Sequence, residues 1–309
     1  MKLQPFQVAT APFGILALIF FYLTMKADGE GIWTLLLVVV VVMAAVIYVM
    51  SPQINWWWWQ RSPPPLDERT ASILADYCAF YRPLSPELKQ RFRNRVALFM
   101  RGNEFMRPVH PSEMDADALR TRVPEDLKVA VAAMAVQVSF GQPTFSTTKF
   151  EHIILYPHPF PSPQFAAVHT CELYEPDGVV LLDADTLMAG FNQPRQIFSI
   201  GLYEMARIFK LDSLRASKTG PSVASALAMT STPNFDAATL ETLEKVSGMT
   251  RKQIAAVIGL DDLDDFAVAA YHFFTFPKEF QSLLPDLYQL FVNIFKQNPL
   301  DAEHPVVNY

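Results

Sequence analysis

Apolar positions are continuous in the first part of the chain and periodic afterwards. No charge occurs from Leu3 to Met25, and none from Ile32 to Met50, where Leu and Val dominate. At about 1.5 Å of rise per residue, runs of this kind cover most or all of a hydrocarbon core roughly 30 Å thick, so residues 9–25 and 32–50 are predicted to be two spanning helices. Lys26 to Gly31 separate them, which is short enough to force an antiparallel hairpin. Trp33 on one side and Trp56, Trp57, Trp58 and Trp59 on the other are placed to form interfacial belts. A cleaved leader is the rival reading of Lys2 and the first run. It is disfavoured because no small-x-small cleavage site follows Met25 and a second apolar run comes at once.

Beyond Ser62-Pro63-Pro64-Pro65, a stiff spacer, the period becomes helical. Ile73, Leu74, Tyr77, Cys78 and Tyr81 share a face. Ser85-Pro86-Glu87 opens a helix whose stripe is Leu88, Phe92, Val96, Phe99 and Met100, and Val123-Pro124-Glu125-Asp126 opens another through Val129 to Phe140. Phe150 to Tyr156 and Gly178 to Leu182 read as strands around an excursion containing Pro157, Pro159, Pro161 and Pro163. Helices are expected again from Gln196 to Leu211, Ala237 to Ser247, Thr250 to Ile258, Leu263 to Phe276 and Leu284 to Phe295. Arg215 to Asn234 is expected to be a loop. The fold class is therefore α+β: a hairpin in residues 1–61, a Pro-rich linker in 62–66, and a mostly helical domain with a small sheet in 67–309.

Charge refines this picture. The net charge of −6 over 309 residues gives no global basic character, and no nucleic-acid partner is expected. Met249 to Gly259 resembles the first half of a helix-turn-helix, but Asp261, Asp262, Asp264 and Asp265 stand where a recognition helix needs cations. Arg61, Arg69, Arg82, Lys89, Arg91, Arg93 and Arg95 follow the hairpin, and Lys2 precedes it. The basic excess puts both flanks, and the domain, on the cytoplasmic side of a cell (inner) membrane, as a multi-pass protein. The basic side chains of the helix after Ser85 are read as a solvated face, with contact to anionic lipid as the rival. Cys78 and Cys171 fit a reducing compartment and have no metal-ligand spacing.

Phosphate-binding, dinucleotide-binding and nucleophile-elbow motifs are absent from the sequence. The blocks Ile153-Ile154-Leu155-Tyr156-Pro157, His169, Gly178-Val179-Val180-Leu181-Leu182, Gly190 and Gly201 to Phe209 remain to be explained. With them go Phe266 to Phe274, Pro285-Asp286-Leu287-Tyr288 and Gln297-Asn298-Pro299. Over roughly Leu127 to Pro299 this order resembles the MtfA-type zinc peptidases. The resemblance implies a zincin-like domain, an H-E-x-x-H helix and a third ligand, a glutamate, from a later helix.

On that pattern the two histidines fall on Tyr203 and Arg207, the general base on Glu204, and the third ligand on Tyr271. Arginine has no lone pair to donate, and a neutral phenol is a poor ligand, so no metal is expected although the family implies zinc. Glu204 loses the metal-bound water it would act on. Arg207, at i+3, is expected to place a fixed positive charge near the vacated metal position, with Tyr203 and Tyr271 filling volume. Among His110, His152, His158, His169, His272 and His304, two are candidate pocket residues: His169, where the resemblance implies a histidine before the second strand, and His272, which adjoins Tyr271 but projects about 100° away around its helix. The resulting expectation is a membrane-tethered pseudopeptidase that binds the lipid bilayer and a cytoplasmic or membrane protein partner. Its rivals are a hydrolase with a relocated metal or a metal-free mechanism, and a structural subunit of a membrane complex.

Overall fold

A computed structural model of the protein describes residues 5–26, 31–108, 123–143, 149–216 and 235–307. Sequence expectations resting on Lys2, residues 27–30, His110 and residues 217–234 lie outside these. The chain divides into two compact units, residues 1–64 and 65–309.

In the first unit, α1 (Pro5–Lys26) packs along α2 (Ile32–Val49), with the Phe20 and Trp33 rings 6.2 Å apart. By length and composition α2 can cross a membrane, with a mean hydropathy of 2.9, while the apolar part of α1, Thr10–Lys26, is shorter. The tryptophan cluster lies on a helix of its own, α3 (Ser51–Arg61), started by Pro52, whose missing N–H costs nothing in a first turn. Arg61 stacks over the Trp57 ring at 3.8 Å.

The second unit starts with α4 (Glu68–Tyr77), capped by Asp67, and α5 (Pro86–Gly102). Next come the short strand β1 (Glu104–Met106) and α6 (Glu125–Ser139). Every residue of α6 from Val129 to Val138 is buried, and its run of alanines lets α4 and α5 approach closely. The basic face of α5 departs from expectation. Arg95 is buried and donates to the carbonyls of Ser139, Phe140 and Gln142 at 3.0, 2.9 and 2.6 Å, and Arg91 donates to Phe140 at 3.2 Å. Carbonyls at a helix C-terminus have no partner of their own and carry the negative end of its dipole, so two arginines settle there.

Among the described residues four strands pair, where two were expected. β2 (His152–Tyr156) is flanked in parallel by β1 and by β4 (Val179–Asp183), and β3 (Cys171–Tyr174) joins the far edge of β4 antiparallel, with Cys171 opposite Leu182. β3 escapes a pattern search because Glu172 sits in it, buried, with its carboxylate 3.0 Å from His169 Nε2. α7 (Ala184–Asn192) also lay in an unassigned stretch; Asp183 caps it, accepting from the Thr186 N–H at 3.0 Å.

α8 (Ile200–Ala216) begins four residues after the expected Gln196 and runs into the expected loop. Then come α9 (Ala237–Ser247), α10 (Arg251–Ile258), α11 (Asp265–Thr275), α12 (Pro277–Leu283) and α13 (Pro285–Phe295). α12 is new, set off from its neighbours by prolines at 277 and 285. Phe266, Phe273, Phe291 and Phe295 stack between α11 and α13, with Phe273 and Phe295 centred 5.6 Å apart. α8 packs against α6 and α11 and touches β3 and β4, so it runs through the middle of the unit. Gly201 permits the first contact: a Cβ there would lie 2.3 Å from Met134 Cε.

Candidate functional site

One face of α8 carries Tyr203, Glu204 and Arg207, brought together by a helical turn. Glu204 is fully buried. Both its carboxylate oxygens lie 3.0 Å from Nη1 of Arg207, whose side chain keeps 31 % of its exposure. Burial works against the Arg207 cation, but the Glu204 carboxylate more than offsets it, so the guanidinium holds its proton more tightly than usual. A second neighbour comes from β3: Cys171, whose thiol is close enough to the carboxylate to feel its charge. Burial first, and then the Glu204 charge, push that thiol well above its ordinary range, so it stays protonated.

Tyr203 is buried beside the pair, and its hydroxyl accepts the Asp264 N–H at 2.9 Å. Arg207 lies 5.7 Å from its ring centre. Asp264 caps α11 through Ala267 and also holds Lys210 at 3.0 Å, so the exposed end of the face has paired charges. Tyr271, on α11, is fully buried and donates to the Pro194 carbonyl at 2.8 Å. Burial raises both phenols, so neither ionises at neutral pH. Phe198 packs against both rings, 5.7 Å from Tyr203 and 4.5 Å from Tyr271, and so links the two helices. Its position depends on α7, where a Cβ on Gly190 would lie 2.7 Å from Ser199 Cα and 2.9 Å from the Phe198 carbonyl.

These donors do not fit zinc. Arginine offers no lone pair, both phenols stay protonated with their hydroxyls engaged, and Glu204 is held by a guanidinium. Among the described residues no three His, Cys, Asp or Glu side chains cluster as metal ligands. The two candidate histidines stand apart. His169 is buried with one ring nitrogen 2.9 Å from the Ala167 carbonyl and the other 3.0 Å from Glu172. His272 has Nδ1 2.7 Å from the Val268 carbonyl, which can only accept, so in the neutral ring Nε2 is unprotonated and accepts a hydrogen bond from the Ser247 hydroxyl at 2.9 Å. Beside it is a cavity of about 20 Å³, scarcely more than one water. Burial pushes the His272 imidazole down to about 4, so it is neutral.

The profile of the glucose-regulated metallo-peptidase M90 family matches residues 54–296. The chain belongs to this family. A comparison with curated proteins found no match. The M90 region starts within α3, well before Leu127, and takes in all of the sheet and the α8–α11 pair. It is a zinc-peptidase-like domain, and in this member Tyr203, Arg207 and Tyr271 occupy the positions where the resemblance places ligands. Cys171 and Phe198 were not foreseen as parts of the M90 site. Cys171 reaches it from β3, where nothing local in the sequence marks such a contact, and Phe198 stands two residues before α8, so its place beside Tyr271 depends on how α11 packs.

Proposed function

We propose that the chain is a membrane-tethered pseudopeptidase, an M90 domain that acts by binding or scaffolding a protein partner in the cytoplasm or the membrane. The observation that carries this reading is the ion pair between buried Glu204 and half-buried Arg207. A general base in a metallopeptidase takes a proton from water whose pKa a metal has lowered towards about 7. Here burial raises the Glu204 carboxyl above its usual range and the Arg207 guanidinium, on both oxygens, offsets only part of that, while among the described residues no set of metal ligands clusters beside it. Each group at a ligand position is committed to an internal partner, which suits a domain kept for its shape. The hairpin supplies the tether, with both of its outer ends on the cytoplasmic side and the bilayer as its first partner.

Elemental analysis and peptide cleavage, measured on full-length protein in lipid nanodiscs, test this. The expected result is substoichiometric zinc after dialysis and no chelator-sensitive cleavage. About one zinc per chain together with cleavage abolished by Glu204→Gln would overturn it.

A further inference from the structure

A cavity of about 290 Å³ opens among α6, α7, α8 and α11, and none of Tyr203, Glu204 and Arg207 lines it. Its body is apolar, formed by Met134, Phe191, Leu202 and Phe274. Two polar side chains in the lining differ in depth. Gln137, one turn along α6 from Met134, is only 9 % exposed, and its side-chain amide has no hydrogen-bond partner among the described residues. The amide is not sealed off: it keeps accessible surface where it lines the cavity, which the enclosed Thr275 Oγ1 does not. A largely buried amide without a protein partner is costly, and a polar group on a ligand relieves that cost.

Arg195 is the second, and its side chain is more than half exposed. It is braced in place: it donates to the Thr275 carbonyl at 3.2 Å and to Glu279, and stacks over the Phe276 ring at 4.6 Å. Those bonds use two of a guanidinium's five N–H donors, and the others are open to a ligand. No carboxylate lines the cavity, since Glu279 is outside the lining. Burial pushes the Cys78 thiol up to about 11, so it adds no negative charge. The one full charge presented to a guest is therefore positive. A closed cavity of about 150 Å³ takes benzene, and pockets for drug-sized ligands start near about 300 Å³, so the volume suits about two rings. We propose that this cavity binds a small apolar carboxylic acid, its rings among Met134, Leu202 and Phe274, its carboxylate on Arg195 and a hydroxyl or similar group on the Gln137 amide.

Equilibrium dialysis of 6-hydroxy-2-naphthoate, 2-naphthoate and 2-naphthol against full-length protein in nanodiscs, with empty nanodiscs of the same lipid subtracted, tests the proposal. Saturable binding near one per chain is expected. The hydroxy acid should bind about fivefold tighter than 2-naphthol, the worth of a half-exposed ion pair, and about fivefold tighter than 2-naphthoate, the worth of one hydrogen bond. Arg195→Met should bring the hydroxy acid and 2-naphthol to equal affinity. Gln137→Leu, which removes an amide that no protein group needs, should do the same for the hydroxy acid and 2-naphthoate. Ala302→Trp, at an exposed position on the rim, should abolish binding of all three. No binding above empty nanodiscs would overturn the site, as would binding untouched by Ala302→Trp. A preference for the carboxylate that survives Arg195→Met, or for the hydroxyl that survives Gln137→Leu, would overturn the assignment of that group.

Discussion

Arg207 holds Glu204 through a single nitrogen: Nη1 is 3.0 Å from each carboxylate oxygen, a bifurcated contact in place of the parallel two-nitrogen fork that arginine forms with exposed carboxylates. The short i to i+3 spacing forces this, because both side chains leave the same helix and meet side-on. Such a pair is held by burial and charge more than by ideal geometry. Removing one member therefore matters far more than removing both.

Arg207→Met is expected to cost about 3 kcal/mol, the lower end of the range for a broken buried pair, since Glu204 can then take up a proton. Glu204→Met leaves behind a cation that is partly in water and should cost less. The double variant should recover most of the loss. Denaturant unfolding of the four proteins gives the coupling energy, and simple additivity would mean the pair is no unit.

Acid should weaken the fold through His272. Its folded-state value of about 4 lies below the ordinary 6.5, so the folded chain binds fewer protons between these limits. The stabilisation is complete above about pH 6.5 and is lost as pH falls towards 4, by up to about 3 kcal/mol. His272→Phe should flatten that part of the profile. The urea midpoint measured from pH 7 to 4 distinguishes the two.

The triple change Tyr203→His, Arg207→His, Tyr271→Glu should create a zinc site where Tyr203→His alone does not, because α8 and α11 pack together and Phe198 ties residues 203 and 271. Affinity will be modest, since no groups are in place to orient the new imidazoles, an effect commonly worth tenfold to a hundredfold. Zinc titration of both folded variants decides it. Equal binding would mean the three positions do not converge.

Single cysteines at Gly29 and Ser62, in a background lacking Cys78 and Cys171, report the orientation of the hairpin. An impermeant maleimide added to whole cells should label position 29 and leave position 62 untouched. The reverse pattern would place the M90 domain outside and remove the cytoplasmic partner.

The sequence made the long elements legible because their signals are local. Ser85-Pro86 and Val123-Pro124 start α5 and α6 where expected, and the negative residues at 264 and 265 do sit at the start of α11. Tyr203, Glu204, Arg207 and Tyr271 were singled out through a resemblance in the order of blocks, and α8 carries the first three on one face. What stayed hidden was decided by pairing across the fold. β3 contains a glutamate that meets its partner in His169, and Arg95 looks like a surface residue until the end of α6 is brought against it. α7 was within reach, since Asp183 and Thr186 form a cap readable from spacing alone.

Gly190 belongs to two neighbourhoods at once. It sits on α7, and its missing side chain lets the backbone of residues 198 and 199 close to within contact. Phe198, on that backbone, is the wedge between the two tyrosines. A side chain at position 190 would push on that wedge, and packed interiors transmit displacement instead of absorbing it, so the posture of Tyr203 and Tyr271 answers to an absent atom on a third helix.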